Sequence, residues 1–352
     1  MIHHVRTIDA HVGGAPLRLV IEGFPEPPGA TMLDKGLWLR RHRDGLRRAL
    51  MLEPRGHADM CGAVLTSPVR PDSDAGVLFM QNDGYSTMCG HGVIAVATLV
   101  VERGLRATLD PTRVVLDTPA GRVVATPQTD RGAADAPADP RPNSTEPRAG
   151  PSPRRVTAVS VENVPSFVVH AGLPVRAANR PLRVDVAFGG AFYAIVDAEA
   201  AGLPLETSRL PDLRRVGTEI ARAVEAAQPI AHPLDPRLAG IRGTIFTGPA
   251  RDPHADLRSM TVVAGGAVDR SPGGTGTCAV IAVLDGMNVL PRDRPFTHEG
   301  PLGTTFRVCI VGRAAVGEYP AVVAELGGSA WTTGEHHFLV DDADPLREGF
   351  RI

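Results

Sequence analysis

The sequence predicts an α+β protein made of two similar halves. Its 352 residues exceed the length at which a single hydrophobic core usually stops growing, so two domains are expected. Short apolar runs bounded by Gly and Pro alternate with helical patterns along the chain. Each half repeats the order strands, helix, strand, Gly-rich turn and apolar helix, which indicates a weak duplication of architecture.

The first half begins with three predicted strands, at residues 5–9, 17–22 and 76–80. A single helix is expected between the second and third strands, from a plausible N-cap at Thr31 to Met51. After Cys89, residues 93–100 are apolar on every side, which predicts a buried helix that ends near Gly104.

A hairpin and a linker follow this helix. Residues 114–126 predict a hairpin that turns at 119–121. Residues 128–155 contain no large aliphatic side chain and cannot bury enough surface to order themselves, so they are expected to be a flexible linker. We therefore predict an N-terminal domain at 1–127 and a C-terminal domain at 156–335.

The second half repeats the order of the first. Its predicted strands lie at residues 156–169, 184–188, 192–196, 241–247 and 260–264. A helix is expected at 208–227, and an apolar helix from Cys278 to about Met287 follows the Gly-rich turn at 269–277.

Charge and cysteine content narrow the function classes. A net charge of −2 does not indicate electrostatic attraction to nucleic acid or to an anionic membrane. No apolar run is long enough to span a bilayer. Four cysteines in so long a chain do not make a disulfide framework, so a reducing cytoplasm is the expected compartment.

The first candidate site is the turn at Cys89, Gly90, His91 and Gly92. Its glycines let the backbone approach a ligand, and the following helix N-terminus offers unpaired N–H groups and about half a positive charge. Such a site favours a carboxylate and lowers the pKa of a cysteine below about 8.5. Cys89 is therefore a candidate base or nucleophile, with His91 as a possible proton relay; an inert packed thiol is the alternative.

The second candidate site is the turn that contains Asp269, Gly273, Gly274 and Thr275, which begins the other apolar helix without a matching thiol. If the halves face each other, both helix N-termini converge on one small anion. Of the remaining cysteines, Cys61 is predicted to be a buried strand or turn thiol, and Cys278 and Cys309 are predicted to be core residues.

These two turns resemble the signatures of the proline racemase superfamily. Residues 88–91 match its Met-Cys-Gly-His motif, and residues 269–276 match its Asp-Arg-Ser-Pro-x-Gly-(Thr/Ser)-Gly motif. Further matches cover almost the whole chain, at residues 13–18, 53–60, 163–167, 189–193 and 344–350.

The resemblance implies a diaminopimelate-epimerase-like fold. Two pseudo-symmetric domains each wrap a mainly antiparallel sheet around a central helix, and the active site lies in the cleft between them. The last strand, near residues 337–340, is expected to return to the first domain, so that residues 336–352 complete it.

Three activities compete within this superfamily: proline racemase, 4-hydroxyproline epimerase and trans-3-hydroxy-L-proline dehydratase. Racemases and epimerases place a second Cys where this chain has Gly273. The dehydratases keep the first Cys and usually have Thr at the second place, so the chain resembles them more closely but departs from them as well. An isomerase with a non-Cys second acid, and a non-catalytic binder of a proline-like amino acid, remain as alternatives.

The resemblance also implies residue roles. Cys89 takes the Cα proton of a hydroxyproline, Gly90 and His91 bind the carboxylate with Gly274 and Thr275, and Asp269 holds the ring amine. The acid for the leaving hydroxyl stays open among His91, a water beside Gly273 and the Thr275 hydroxyl. No metal or organic cofactor is implied, and the protein is expected to be a monomer or homodimer.

Overall fold

The structure is a computed structural model, and it describes residues 1–130, 155–291 and 294–351. Most of the predicted linker at 128–155 therefore lies outside the described residues. Of its described residues, 128 and 129 end a strand rather than begin a linker.

The described chain contains seventeen strands and five α-helices. The strands are β1 (Ile2–Val12), β2 (Ala15–Glu22), β3 (Cys61–Thr66), β4 (Ala75–Gln81), β5 (Gly84–Ser86), β6 (Val114–Thr118), β7 (Gly121–Thr129), β8 (Val156–Glu162), β9 (Ser166–Ala177), β10 (Arg180–Phe188), β11 (Phe192–Asp197), β12 (Ile241–Gly248), β13 (Leu257–Val263), β14 (Phe296–Glu299), β15 (Thr305–Val316), β16 (Tyr319–Gly328) and β17 (Ala330–Asp341). The helices are α1 (Met32–His42), α2 (Asp44–Met51), α3 (Gly90–Arg103), α4 (Leu210–Ala227) and α5 (Gly274–Gly286).

Strand pairing reveals the duplication that the sequence indicated. The first half has the hydrogen-bonded order β17-β1-β2-β3-β4-β6-β7-β8, and the second half has β9-β10-β11-β12-β13-β14-β15-β16. Each half has two parallel pairs, β2–β3 and β4–β6 in the first and β11–β12 and β13–β14 in the second, and they occupy matching places in these orders. Other neighbours are antiparallel, so the α+β prediction of two like halves is confirmed.

One helix lies at the centre of each half. Residues Gly90 to Val100 of α3 and Gly274 to Val283 of α5 are buried, as the all-apolar patterns predicted. Gly104 caps the end of α3 near the predicted place and has the left-handed φ of 59° that Gly adopts without strain. α5 begins four residues before the predicted Cys278, because tertiary packing outweighs the low helix propensity of glycine.

The helix predicted from Thr31 to Met51 is instead two helices. Thr31 caps α1 as expected, but Arg43 departs from helical geometry with a φ of −142° and separates α1 from α2. Arg47 in α2 binds Asp44 at 2.6 and 2.8 Å, and it donates to the carbonyl oxygen of Gln81 at the end of β4. The second helix is thereby oriented toward the sheet by a contact that helical periodicity does not reveal.

The last strand joins the first half of the molecule. β17 pairs antiparallel with β1 over its whole length, from Ala330 opposite Val12 to Asp341 opposite Ile2. The limits of the two domains stay a prediction, because β8 pairs with β7 of the first half and with β16 of the second. None of the helices in the described ranges is both long and apolar enough to cross a membrane.

The core assignment of one cysteine is wrong. Cys309 is exposed, because the alternation of β15 turns Phe306 and Val308 inward and leaves Cys309 on the outer face. Cys278 lies buried in α5, as expected.

The halves meet where their central helices begin. A Cβ added at Gly90 would lie 2.5 Å from the Cα of Gly274, and a Cβ added at Gly274 would overlap the Cα of Gly90. Only residues without a side chain allow the two backbones to approach this closely. Nearby, the Thr87 hydroxyl donates to the carbonyl oxygen of Gly190 at 2.8 Å and adds a second link between the halves.

We therefore expect Gly90→Ala or Gly274→Ala to lower the free energy of unfolding by about 1–3 kcal/mol, the usual cost of overpacking. Gly286→Ala is the matched control, since it lies in α5 and an added Cβ meets nothing within 4 Å. Chemical denaturation of the three variants measures the difference. An equal, small effect in all three would show that the helices do not depend on this contact.

Candidate active site

A cavity of about 220 Å³ opens beside the junction of the two halves. It is lined by residues of both halves, among them Cys61, His91, Asp269, Asp59, Arg214 and Arg270. Two of the predicted site residues, His91 and Asp269, therefore face the cavity. Cys89 lies directly behind this wall rather than in its lining.

Cys89 occupies the N-cap position of α3 and is buried. Its sulfur lies 3.4 Å from Nε2 of His91 and 3.7 Å from the sulfur of Cys61. The backbone N–H of Gly92 also points to this sulfur. The helix N-terminus and the neighbouring imidazole thus surround Cys89, as the turn predicted.

His91 links the two predicted turns. Its Nδ1 lies 3.7 Å from Oδ2 of Asp269, while Oδ1 of Asp269 accepts hydrogen bonds from the backbone and the hydroxyl of Ser271 at 2.9 and 2.8 Å. Burial lowers the pKa of His91, but Asp269 and Cys61 outweigh it and raise the pKa to about 10. Burial raises the pKa of Asp269, but His91 and Ser271 hold it below its usual range. The pair is therefore an imidazolium and a carboxylate at neutral pH.

Cys61 is the site residue that the sequence analysis missed. It is a buried strand residue, as expected, and it also lines the cavity where β3 begins. Its sulfur also lies 4.0 Å from Nε2 of Gln81, its partner across β3 and β4. The available signal was that Met60-Cys61-Gly62 repeats Met88-Cys89-Gly90.

The negative charge of the thiol pair lies on Cys61. A hydrogen bond from the Cys89 thiol, opposed by burial and assisted by His91, lowers the pKa of Cys61 to about 5. The hydrogen bond to Cys61 and burial raise the pKa of Cys89 well above its usual range. The lowered pKa that was predicted for Cys89 falls instead on Cys61, because the thiol of Cys89 donates its hydrogen to the sulfur of Cys61.

The N-cap of α5 is Gly273, the counterpart of Cys89 in α3. Its φ is 80°, and an added Cβ would lie 3.4 Å from Oδ2 of Asp269, so there is room for a small side chain but the backbone disfavours one. Thr275 is buried, and its hydroxyl lies 2.7 Å from the hydroxyl of Tyr193.

Ion pairs connect the two sides of the cavity. Oδ2 of Asp59, in the first half, lies 3.2 Å from Nη2 of Arg214 and 3.4 Å from Nη2 of Arg270. Oδ2 of Asp83 lies 3.1 Å from Nη1 of Arg242. Sequence reasoning did not select Asp59, Arg214, Asp83 or Arg242, because an ion pair between distant segments has no local signature.

The thiols and the imidazole also have the chemistry of a metal site. Ligand atoms of Cys61, Cys89 and His91 lie within 4.8 Å of one another. Two sulfurs and one nitrogen are donors that Zn²⁺ accepts. The expectation that no metal takes part stays a prediction.

Two like halves, each built around a buried helix, with an acid–base cluster where both helices begin, define an enzyme of the diaminopimelate-epimerase-like fold. The family model described as proline racemase matches residues 7–137 and 146–351. The chain therefore belongs to the proline racemase family.

Individual relatives carry several activities. A trans-3-hydroxy-L-proline dehydratase of Bacillus cereus is 41% identical, with 98% of this chain and 97% of that protein covered. A 3-hydroxyproline 2-epimerase of Burkholderia multivorans is 39% identical, with 98% and 97% covered. The crystal structure of a hydroxyproline epimerase from Agrobacterium vitis, with bound trans-4-hydroxy-L-proline, has a TM-score of 0.85 at 29% identity and covers 99% of this chain and 96% of its own.

The charge assignment predicts a specific titration. Between the pKa of Cys61, about 5, and that of His91, about 10, the site contains one thiolate and one imidazolium. As the pH is lowered, we expect the ultraviolet absorbance of one thiolate to disappear near pH 5 in the wild type. This change in absorbance should be missing in Cys61→Ser and should be the same as in the wild type in the control, Cys309→Ser. A thiolate that persists in Cys61→Ser with the same midpoint would place the charge on Cys89 instead.

The same shift predicts how stability depends on pH. The pKa of Cys61 is lower in the folded protein than the unfolded value of about 8.5. The Cys61 thiolate therefore adds to the free energy of unfolding in full above about pH 8.5, and this stabilisation is lost as the pH falls through about 5. Unfolding of the wild type and Cys61→Ser at a series of pH values measures this difference.

Proposed function

We propose that the protein dehydrates trans-3-hydroxy-L-proline to Δ1-pyrroline-2-carboxylate and water, with Cys89 as the acceptor of the Cα proton. The observation that carries the proposal is the unequal pair of N-caps: α3 begins at a thiol and α5 begins at Gly273. Inversion of Cα needs a proton-transfer group on each face of the ring, whereas elimination needs a base on one face only. The name of the Bacillus cereus relative supports this reaction.

In this proposal the substrate carboxylate lies where α3 and α5 begin. Gly90, His91, Gly274 and Thr275 form the first turns of these helices, whose N–H groups are free to bind an anion. The close approach of Gly90 and Gly274 directs both helix dipoles to one place. Both dipoles then stabilise the negative charge that develops when the Cα proton leaves.

Asp269 is proposed to hold the protonated ring nitrogen. Its carboxylate lines the cavity and is kept ionised by His91 and Ser271. An ionised carboxylate pairs with an ammonium group, so the zwitterionic substrate meets opposite charges at both ends.

Cys89 becomes the base when its proton passes to Cys61, 3.7 Å away. His91, whose Nε2 lies 3.4 Å from the Cys89 sulfur, stabilises the resulting thiolate. The base is therefore produced by a proton shift within the site and needs neither a metal nor an organic cofactor.

Epimerisation of a hydroxyproline is the second candidate function. The 39% identity to the Burkholderia multivorans epimerase favours it, and a non-Cys acid would have to act on the side of Gly273. A non-catalytic binder is the third candidate, but a binder has no need of two thiols beside an imidazolium.

We also propose that the enzyme works in the cytoplasm, since all four cysteines are free in the described chain. Its oligomeric state, monomer or homodimer, stays a prediction.

A product assay tests the reaction. Wild-type protein incubated with trans-3-hydroxy-L-proline is expected to form a cyclic imine that borohydride reduces to proline. Cys89→Ser is expected to lower kcat by at least about 10²-fold, because general-base catalysis typically contributes that much or more. Cys309→Ser, an exposed thiol, is the control. Full activity of Cys89→Ser would exclude Cys89 as the base. In a separate incubation of the wild type in deuterated water, formation of deuterated, D-configured hydroxyproline would favour the epimerase.

Gly273→Cys tests the meaning of the missing second thiol. The new thiol is expected to introduce Cα epimerisation of trans-4-hydroxy-L-proline in deuterated water. The φ of 80° and ψ of 117° add a strain of about 1–3 kcal/mol to any L side chain. Gly273→Ala carries the same strain without a thiol and is the matched control. Equal epimerisation by both variants, or by neither, would contradict the assignment of this position.

A further inference from the structure

Cys61 is the thiol at the cavity wall, and Cys89 is the thiol behind it. The two sulfurs are 3.7 Å apart, and both belong to the first half, at the start of β3 and at the N-cap of α3. Cys61 lines the cavity together with His91 and Asp269. A substrate bound in this cavity thus has both thiols on one side, with Cys61 in the wall and Cys89 behind it.

The stereochemistry of the proposed substrate places its two reacting groups on one side as well. In trans-3-hydroxy-L-proline the hydroxyl at C3 is trans to the carboxylate at C2. The hydrogen at C2 is also on the face opposite to the carboxylate, so the hydrogen and the hydroxyl lie on the same face of the ring. The base and the acid for this elimination are therefore required on the same side of the substrate.

We propose that Cys61 is the general acid that protonates the departing C3 hydroxyl after Cys89 has removed the proton from C2. This inference rests on the proposed dehydration and adds the acid that the sequence left open. It also accounts for Gly273, because no proton donor is needed on the side of α5.

The proton balance closes without an added reactant. The Cys89 thiolate takes the C2 proton, and the electron pair of that C–H bond first stays on C2 as a carbanion and then forms the C2=C3 double bond. The C3–O bond breaks as the oxygen takes the proton of Cys61, and water leaves. The site then holds a Cys89 thiol and a Cys61 thiolate, the state that its pKa values favour. One proton transfer across the 3.7 Å between the sulfurs restores the starting pair.

Other donors are placed less well for this step. The Thr275 hydroxyl is engaged by Tyr193 at 2.7 Å and lies on α5, in the other half. His91 lies beside Asp269, and loss of its proton would leave a partly buried carboxylate without its cation. Cys61 can give up its proton with Gln81 and Cys89 positioned to stabilise the thiolate.

The test separates C2 proton removal from dehydration. Wild type, Cys61→Ala and Cys309→Ala are each incubated with trans-3-hydroxy-L-proline in deuterated water, and exchange at C2 and imine formation are measured by NMR. We expect Cys61→Ala to keep C2 exchange within about tenfold of wild type and to lose about 10²–10⁴-fold in imine formation, the usual range for a general acid. A proline that carries chloride at C3, trans to the carboxylate, needs no protonation of its leaving group and is expected to restore elimination in Cys61→Ala.

Each other result overturns the proposal. Equal losses of exchange and dehydration, with no recovery on the chlorinated substrate, would indicate a structural role for Cys61. Loss of exchange in Cys61→Ala together with exchange retained in Cys89→Ser would make Cys61 the base. Undiminished dehydration by Cys61→Ala would exclude Cys61 as the acid while leaving the dehydratase intact, whereas a wild type that forms no imine would refute the proposed function itself.

Discussion

The contact between Gly90 and Gly274 is the constraint on which the site depends. It brings the N-termini of two buried helices together, and neither residue can carry a Cβ without displacing the other backbone. Two positive helix ends at one place repel each other, so the arrangement favours an anion between them. The carboxylate of an amino acid is such an anion, and the contact therefore determines where a substrate's Cα would lie.

Beside this positive region the protein concentrates ionised side chains in a buried place. Cys61 as a thiolate, His91 as an imidazolium and Asp269 as a carboxylate stand next to one another, and the imidazolium stabilises both anions. Removing one member would leave another charge unpaired in a region of low dielectric, which is costly. The same coupling makes proton transfer between Cys61 and Cys89 possible, since one charge is shared by two sulfurs.

The duplicated architecture explains how the two halves differ in chemistry. Cys89 and Gly273 hold equivalent positions, the N-caps of the two central helices. The first half contributes both thiols, and the second contributes Asp269 together with a helix N-terminus. A site with both thiols on one side suits a reaction in which bonds break on one face of the ring, and it offers no thiol to the opposite face.

The sequence by itself determined the family and the two buried helices, and it selected Cys89, His91 and Asp269 as candidate site residues, because each depends on local patterns: apolar periodicity, turn glycines and short signatures. It misjudged features that depend on distant segments. The orientation of α2 after Arg43 depends on the contact of Arg47 with the end of β4, and the solvent exposure of Cys309 follows from the face that β15 turns to the core. Above all, only the tertiary structure decided that Cys61 lies against Cys89, since 27 residues and two further strands separate them along the chain and a sulfur–sulfur distance of 3.7 Å has no trace in local sequence.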